Sequence, residues 1–400
     1  MLRPHAVECR RVWGGKLARM WEGREFAVVV ALLSMAGWTH GCAGLSDAQE
    51  MEGEARAQDH PLIEESTSSL TSSNTPAPVW KYISFPDTSC RDGSPAGISI
   101  SKSTRGSKKL MIFLEGGGIC FDAQTCGENP ANTQGQQGAP TSGIFDRSNA
   151  ANPVRDWNFV YVPYCTGDLH AGARRDVDVP GVGTQQFVGA LNMQRFLKTI
   201  VSTFCDSKDV LLTGSSAGGF GAVLNFVQVQ NAAPGLKVNL IDDSGPLLNK
   251  MAAATCLQAL WRTSFGFEQT FLAGCGSSCP NKSDYLQDYL SFLAKKYSDR
   301  PLGLIESAQD EVISEFLGIG SNNCTGTFAT PISGSLFETS LLQLRSALTP
   351  YPSFSVYIPT GTQHQWLEDP SFYSEVIGTK KLSSWFGRIA NGTVPGNVGP

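Results

Sequence analysis

Histidine is scarce in this chain, five in 400 residues, and charge is scarce too, with Asp, Glu, Lys and Arg making up only 17%. Lys plus Arg number 31 against 36 Asp plus Glu, a net charge of −5, so no basic field exists to gather nucleic acid or an anionic lipid surface. Long apolar runs are missing as well. The uncharged stretch from Phe26 to Trp38 falls short of the roughly 20 residues that a bilayer-spanning helix needs. The cysteines lack the doubled C-x-x-C spacing of a zinc ribbon, and no internal repeat is present.

What the chain has in quantity is cysteine (11), glycine (42) and proline (22). A reducing cytosol seldom accounts for so many cysteines without metal spacing, so export to an oxidising compartment is the simpler reading. The amino terminus agrees: Arg3, Arg10, Arg11, Lys16, Arg19 and Arg24 precede the apolar run, the layout of a signal peptide. Translation starting at Met20 would leave a compact leader. Gly41-Cys42 resembles a bacterial lipoprotein junction, so residues 1–42 are expected to be a signal peptide, with a lipid anchor at Cys42 as the one expected membrane contact. Residues 43–78 are polar and rich in Ser, Thr, Glu and Gln, and read as a disordered tether. Residues 79–400 then read as one domain, expected to be a monomer.

Within that domain short apolar runs end in Gly, Pro, Asp or Ser: Lys109–Leu114, Asn158–Val162, Val210–Thr213, Val238–Ile241, Leu302–Ile305 and Phe354–Ile358. Helical patterns over Gln185–Phe204 and Phe220–Gln230 alternate with them, which predicts an α/β fold with a mostly parallel central sheet and helices on both faces. Sites in such sheets form beyond the carboxyl ends of the strands.

Four of those loops carry chemistry. Gly214-Ser215-Ser216-Ala217-Gly218 is a G-x-S-x-G pattern between strand and helix, where a sharp turn lifts a serine out of the sheet, so Ser216 is the candidate nucleophile. Only His170 and His364 fall within the domain. His364 follows the last strand and keeps the order Ser, acid, His, which makes it the candidate base. For the acid, Asp310 follows the penultimate strand, with Glu306 and Asp243 as rivals; Asp243 could instead close a turn behind the site. Gly116-Gly117-Gly118 ends a strand in the manner of backbone-donor loops, so Gly117 and Gly118 with Ala217 are the candidate oxyanion donors.

Together, Leu114-Glu115-Gly116-Gly117-Gly118-Ile119-Cys120, Tyr164-Cys165-Thr166-Gly167-Asp168, Gly214–Gly219, Asp243-Ser244-Gly245 and His364 resemble the pectin acetylesterase family, which includes Notum-like protein-lipid deacylases. The resemblance runs from about residue 80 to 390 and, with the leader, reads as a bacterial member. It implies an α/β-hydrolase-like serine carboxylesterase without metal or cofactor, and it favours Asp310 as the acid. Ile119, Asp168 and His170 are the positions expected to contact substrate. Ile119, Pro246 and Gln365 depart from residues common in the family, which bears on the acyl pocket. An acetyl ester on a polysaccharide such as pectin is the expected substrate. The rivals are a lipid or polyester ester and, in another class, a carbohydrate-binding surface protein without turnover. Once Cys9 and Cys42 are set aside, nine cysteines remain, so at most four bridges form among them and one thiol is expected to stay free or to pair between molecules. Cys120 with Cys126 is expected to brace the glycine loop, and Cys256, Cys275, Cys279 and Cys324 to staple the insertion that follows Asp243.

Overall fold

The computed structural model describes residues 79–400, apart from 136–137, 281–282 and 325–329. The leader, Met20, Cys42 and the tether over 43–78 lie outside the described residues.

Burial alternates between two cores along each central strand. In β3 (Lys109–Leu114), Leu110, Ile112 and Leu114 enter one apolar cluster while Met111 and Phe113 enter another on the opposite face. β7 (Asp209–Ser215) does the same, with Val210 and Leu212 on one side and Leu211 on the other. Apolarity on both faces is what a parallel sheet covered by helices requires.

Eight strands form this sheet. Its order is β1 (Trp80–Phe85), β2 (Ala96–Ser101), β4 (Asn158–Val162), β3, β7, β8 (Val238–Asp243), β9 (Leu302–Ile305) and β10 (Phe354–Tyr357). From β4 to β10 every pairing is parallel, whereas β1 and β2 form an antiparallel edge. That edge and the hairpin of β5 (Arg174–Val179) and β6 (Gly183–Phe187) escape a search for continuous apolar runs, because polar residues interrupt them. After the short α1 (Ala123–Glu128), helix α2 accordingly begins at Gly189 and runs to Thr203, later than the pattern from Gln185 predicts.

The sheet positions the site through α3 (Ala217–Ala232), which is buried along most of its length. A Cβ at Gly218 would collide with the Leu114 carbonyl, and one at Gly219 with the Asp242 carboxyl, so the glycines let this helix lie directly on β3 and β8. Between β8 and β9 come α4 (Thr255–Phe265), α5 (Phe271–Cys275) and α6 (Tyr285–Lys296); α7 (Glu311–Gly318) and α8 (Gly334–Leu348) follow β9.

Disulfides join Cys90–Cys165, Cys120–Cys126, Cys256–Cys324 and Cys275–Cys279. Cys205 is disulfide-bonded as well, so the expected free thiol is not found among the nine.

Candidate active site

Five neighbouring strands deliver the site. β3, β7, β8, β9 and β10 lie side by side, and their carboxyl ends are level: Leu114 pairs with Gly214, Ser215 with Asp243, Asp243 with Ile305, and Ile305 with Tyr357. The residues just beyond those ends are Glu115–Gly118, Ser216, Ser244, Glu306–Asp310 and the loop to His364.

Ser216 occupies the turn between β7 and α3 with φ 57° and ψ −123°, a strained conformation for a residue with a side chain. The turn is held from below, since the Ser216 amide donates to the Asp243 carbonyl at 2.8 Å. Positive φ at residues other than glycine gathers around this point, at Leu169, His170, Ser216, Ser244 and Gln365. Strain collected in one place marks a site that its surroundings force into shape.

His364 Nδ1 lies 2.7 Å from Asp310 Oδ2, and Asp310 is fully buried while 14% of the His364 side chain stays exposed. Asp310 also caps α7, its Oδ1 accepting the Ile313 amide at 2.9 Å, so one carboxylate both starts a helix and faces the imidazole. This arrangement leaves the other imidazole nitrogen for a second partner. Glu306 and Asp243, the rival acids, stand elsewhere. Glu306 is completely buried, with no hydrogen bond to His364.

Asp243 is a clamp. Its carboxylate accepts from Ser215 Oγ (2.6 Å), the Trp366 amide (3.0 Å) and the Leu367 amide (2.9 Å), and beside it Ser244 Oγ accepts the Gln365 amide at 3.0 Å. The Ser216 turn and the histidine loop are thus tied to one side chain. Burial raises the Asp243 carboxyl from its ordinary value, and the Ser215 hydroxyl and the two amides oppose that rise.

The glycine loop passes beside the serine: a Cβ at Gly116 would stand 3.1 Å from Ser216 Cβ. Gly117 (φ 141°) and Gly118 (φ 74°) take backbone conformations open chiefly to glycine, and Asn129 Nδ2 fixes the Gly117 carbonyl at 2.7 Å. Ala217 is the first residue of α3, so its amide has no acceptor within the helix and is available to an incoming oxygen. Beside Ser216 a cavity of about 30 Å³ is lined by Ile119, Leu169, Phe220, Trp261, Ile313, Phe316 and Leu317 with Gly118 and Ala217.

The three expected substrate contacts stand in different settings. Ile119 lines the cavity, but Asp168 is fully buried and its carboxylate is consumed by Thr166 Oγ1 (2.6 Å) and the amides of Gly172 (3.1 Å) and Gly189 (2.7 Å). Burial raises its carboxyl to about 6. His170 is buried too, with its Nε2 2.8 Å from the Glu115 carbonyl, and burial lowers it to about 4. A carbonyl only accepts, so the neutral ring donates through Nε2 and braces the strand end that leads into the glycine loop. The Asp168 carboxylate and His170 Nε2 thus hold the surrounding loops behind the site.

Sequence reasoning also missed most of the cavity wall. Ile313, Phe316 and Leu317 recur after Asp310 with the period of a helix face, and could have been read from that. Trp261 shares a face of α4 with Leu257 and Phe265, whereas Phe220 reaches the cavity from α3, which is buried nearly all round and gives no such signal.

A sequence profile of the pectinacetylesterase family matches residues 80–335. The chain belongs to the pectinacetylesterase family. Among curated relatives it is similar to the palmitoleoyl-protein carboxylesterase notum1' of Xenopus laevis, 33% identical over 190 residues that cover 44% of this chain and 36% of that protein. Human NOTUM, also a palmitoleoyl-protein carboxylesterase, is 32% identical over 176 residues, 40% of this chain and 34% of the relative. The match therefore spans about a third of the length of these relatives. A crystal structure of the Wnt deacylase Notum from Drosophila superposes with a TM-score of 0.60 at 22% identity, covering 78% of this chain and 94% of that one. It shares the α/β-hydrolase fold with this member of the family.

Proposed function

We propose that the chain is an exported serine carboxylesterase that removes short acyl groups, acetyl above all, from an esterified polysaccharide such as pectin. The observation that carries this reading is a His364–Asp310 pair at 2.7 Å on the loops flanking Ser216, which stands at a strained turn beside a small apolar cavity. In this reading His364 takes the Ser216 proton as the oxygen attacks the ester carbonyl. The amides of Gly117, Gly118 and Ala217 hold the developing oxyanion, and His364 returns the proton to the departing alcohol. Water then enters by the same route and releases the acid.

Cavity size supports acetyl. A single water needs on the order of 10–15 Å³ by this measure, so about 30 Å³ admits a methyl group and little more. A long acyl chain is the second reading, favoured by the all-apolar lining and by the relatives' activity on palmitoleoyl-protein esters. The disulfides of the domain support export, and the Gly41-Cys42 junction supports a bacterial lipoprotein anchored through Cys42.

The test is hydrolysis of p-nitrophenyl esters of increasing chain length by the full chain and by Ser216→Ala, together with labelling by a fluorophosphonate. Ser216-dependent labelling and a preference for acetate are expected. A chain that neither labels nor hydrolyses any ester is a carbohydrate-binding protein at most, and a preference for long chains replaces the acetyl reading with the lipid one.

A further inference from the structure

Glu306 is the buried acid that the proposed mechanism does not use. It follows β9 directly, its amide donates to the Tyr357 carbonyl of β10 at 3.0 Å, and its side chain is wholly excluded from solvent. Neither carboxyl oxygen receives a hydrogen bond from any described donor. The charged groups acting on it are Asp310 on the loop before α7 and Asp242 and Asp243 from β8, all of them acids. Beyond Asp310 stands His364, whose Nδ1 is 2.7 Å from Asp310 Oδ2. An ionised Glu306 would be a further buried anion with no donor to stabilise it, a state that proteins avoid by protonation. Burial and the Asp310 carboxylate both push its carboxyl well above the usual carboxylate range. A buried O–H in turn needs an acceptor, and the buried Asp310 carboxylate, on the same loop after β9, is the acid that acts on it most strongly.

We propose that Glu306 is a protonated positioning residue whose O–H donates to the Asp310 carboxylate, so that His364 is oriented by a carboxylic acid–carboxylate pair. The kinetic consequence rests on the esterase reading; the proton itself does not. Asp310 then spreads one negative charge over the Ile313 amide, the His364 imidazole and the Glu306 hydroxyl. A carboxylate shared among more donors attracts a positive charge on the imidazole less, so removing the Glu306 donor strengthens that attraction. The residue thereby sets where the acid limb of the activity profile falls.

Two variants of the full chain test this, each with a pH profile and an infrared spectrum. Glu306→Gln keeps the volume and an N–H donor. Its acid limb of kcat/KM should stay within a few tenths of a pH unit of the parent. Glu306→Met keeps the bulk and removes the donor, and should move that limb upward by about one pH unit. In the infrared at pH 7, the difference spectrum of parent minus Gln variant should show the carbonyl stretch of one buried protonated carboxyl, since the band of Glu368 is common to both and cancels. A folded Met variant with an unmoved limb overturns the proposal, as does a carboxyl band unchanged by Glu306→Gln. If the parent hydrolyses no ester, the esterase reading fails and the infrared comparison still decides whether Glu306 holds the proton.

Discussion

Replacing Asp243 by asparagine separates a clamp from a catalytic acid. The carboxylate holds the Ser215 hydroxyl at 2.6 Å and the amides of Trp366 and Leu367 at 3.0 and 2.9 Å, so three bonds to a charged acceptor are at stake. Hydrogen bonds to a charged group contribute about 1.5–3 kcal/mol against about 0.5–1.5 for neutral pairs, a difference of about 1 kcal/mol per bond. Three such bonds give about 3 kcal/mol, offset in part because a neutral amide is cheaper to bury, so a net loss of about 2 kcal/mol is expected. For a domain of this size that is a fall of several degrees in Tm. The histidine loop would also loosen, and a misplacement of about 1 Å can slow catalysis by about 100-fold. Asp310→Asn should behave differently. Asparagine caps a helix as well as aspartate does, so α7 keeps its start and stability changes little, while an imidazole without its carboxylate should lose about 10⁴-fold in kcat. Thermal melts and p-nitrophenyl acetate kinetics on both variants give the answer. The reasoning is refuted if Asp243→Asn loses about 10⁴-fold at unchanged Tm while Asp310→Asn stays active, for then the acid and the clamp have been exchanged.

Two further outcomes follow from the cavity and from a neighbouring acid. Phe316 lines the cavity and its ring would lie 3.3 Å from a Cβ on Gly118, so Phe316→Ala should open room for two more methylenes. At about 0.8 kcal/mol each, these should raise kcat/KM for butyrate relative to acetate by about tenfold, and an unchanged ratio of the two rates would show that the cavity does not hold the acyl group. Glu368 is raised from 4.5 to about 8, by burial first and by Asp243 and Glu115 next. Between those two values the unfolded chain has released this proton and the folded chain keeps it, so the group makes the fold less stable as pH rises. At pH 7 the penalty is at most about 3 kcal/mol, and Glu368→Gln should remove it. Chemical denaturation at pH 5 and pH 7.5 should show the variant's advantage growing with pH; an advantage that is constant or shrinks would refute the sign.

Much of this was legible in the sequence wherever one physical constraint dominated. Strands buried on both faces must be apolar throughout, and all six runs so chosen are strands of the sheet. The turn at Ser216 needs small neighbours on both sides, and the histidine loop follows the last strand of the sheet, so the parts that meet were visible one at a time. The edge strands β1 and β2 were not, because polar residues such as Lys81, Ser84 and Ser99 interrupt the continuous apolar run that marks the central strands.

The acids show where reading a sequence stops. Asp168, Asp242, Asp243, Glu306 and Asp310 are all buried polar letters near a strand end, and the place after the penultimate strand favours Asp310 without telling it from Glu306 or saying what each carboxylate holds. Their roles depend on what donates to each oxygen: backbone amides of a loop for Asp168, two loops for Asp243, and a helix start with an imidazole for Asp310. For Glu306 no donor is found among the described residues, and this is why it must bring its own proton. A charge pattern at fixed composition is thus converted into distinct chemistry by donors that only the folded backbone supplies. The same argument explains His170, which sequence order set aside as the base and which the fold spends on the Glu115 carbonyl. A histidine whose Nε2 proton is committed to a backbone oxygen in a buried setting has no lone pair left on that nitrogen to accept the proton of a serine.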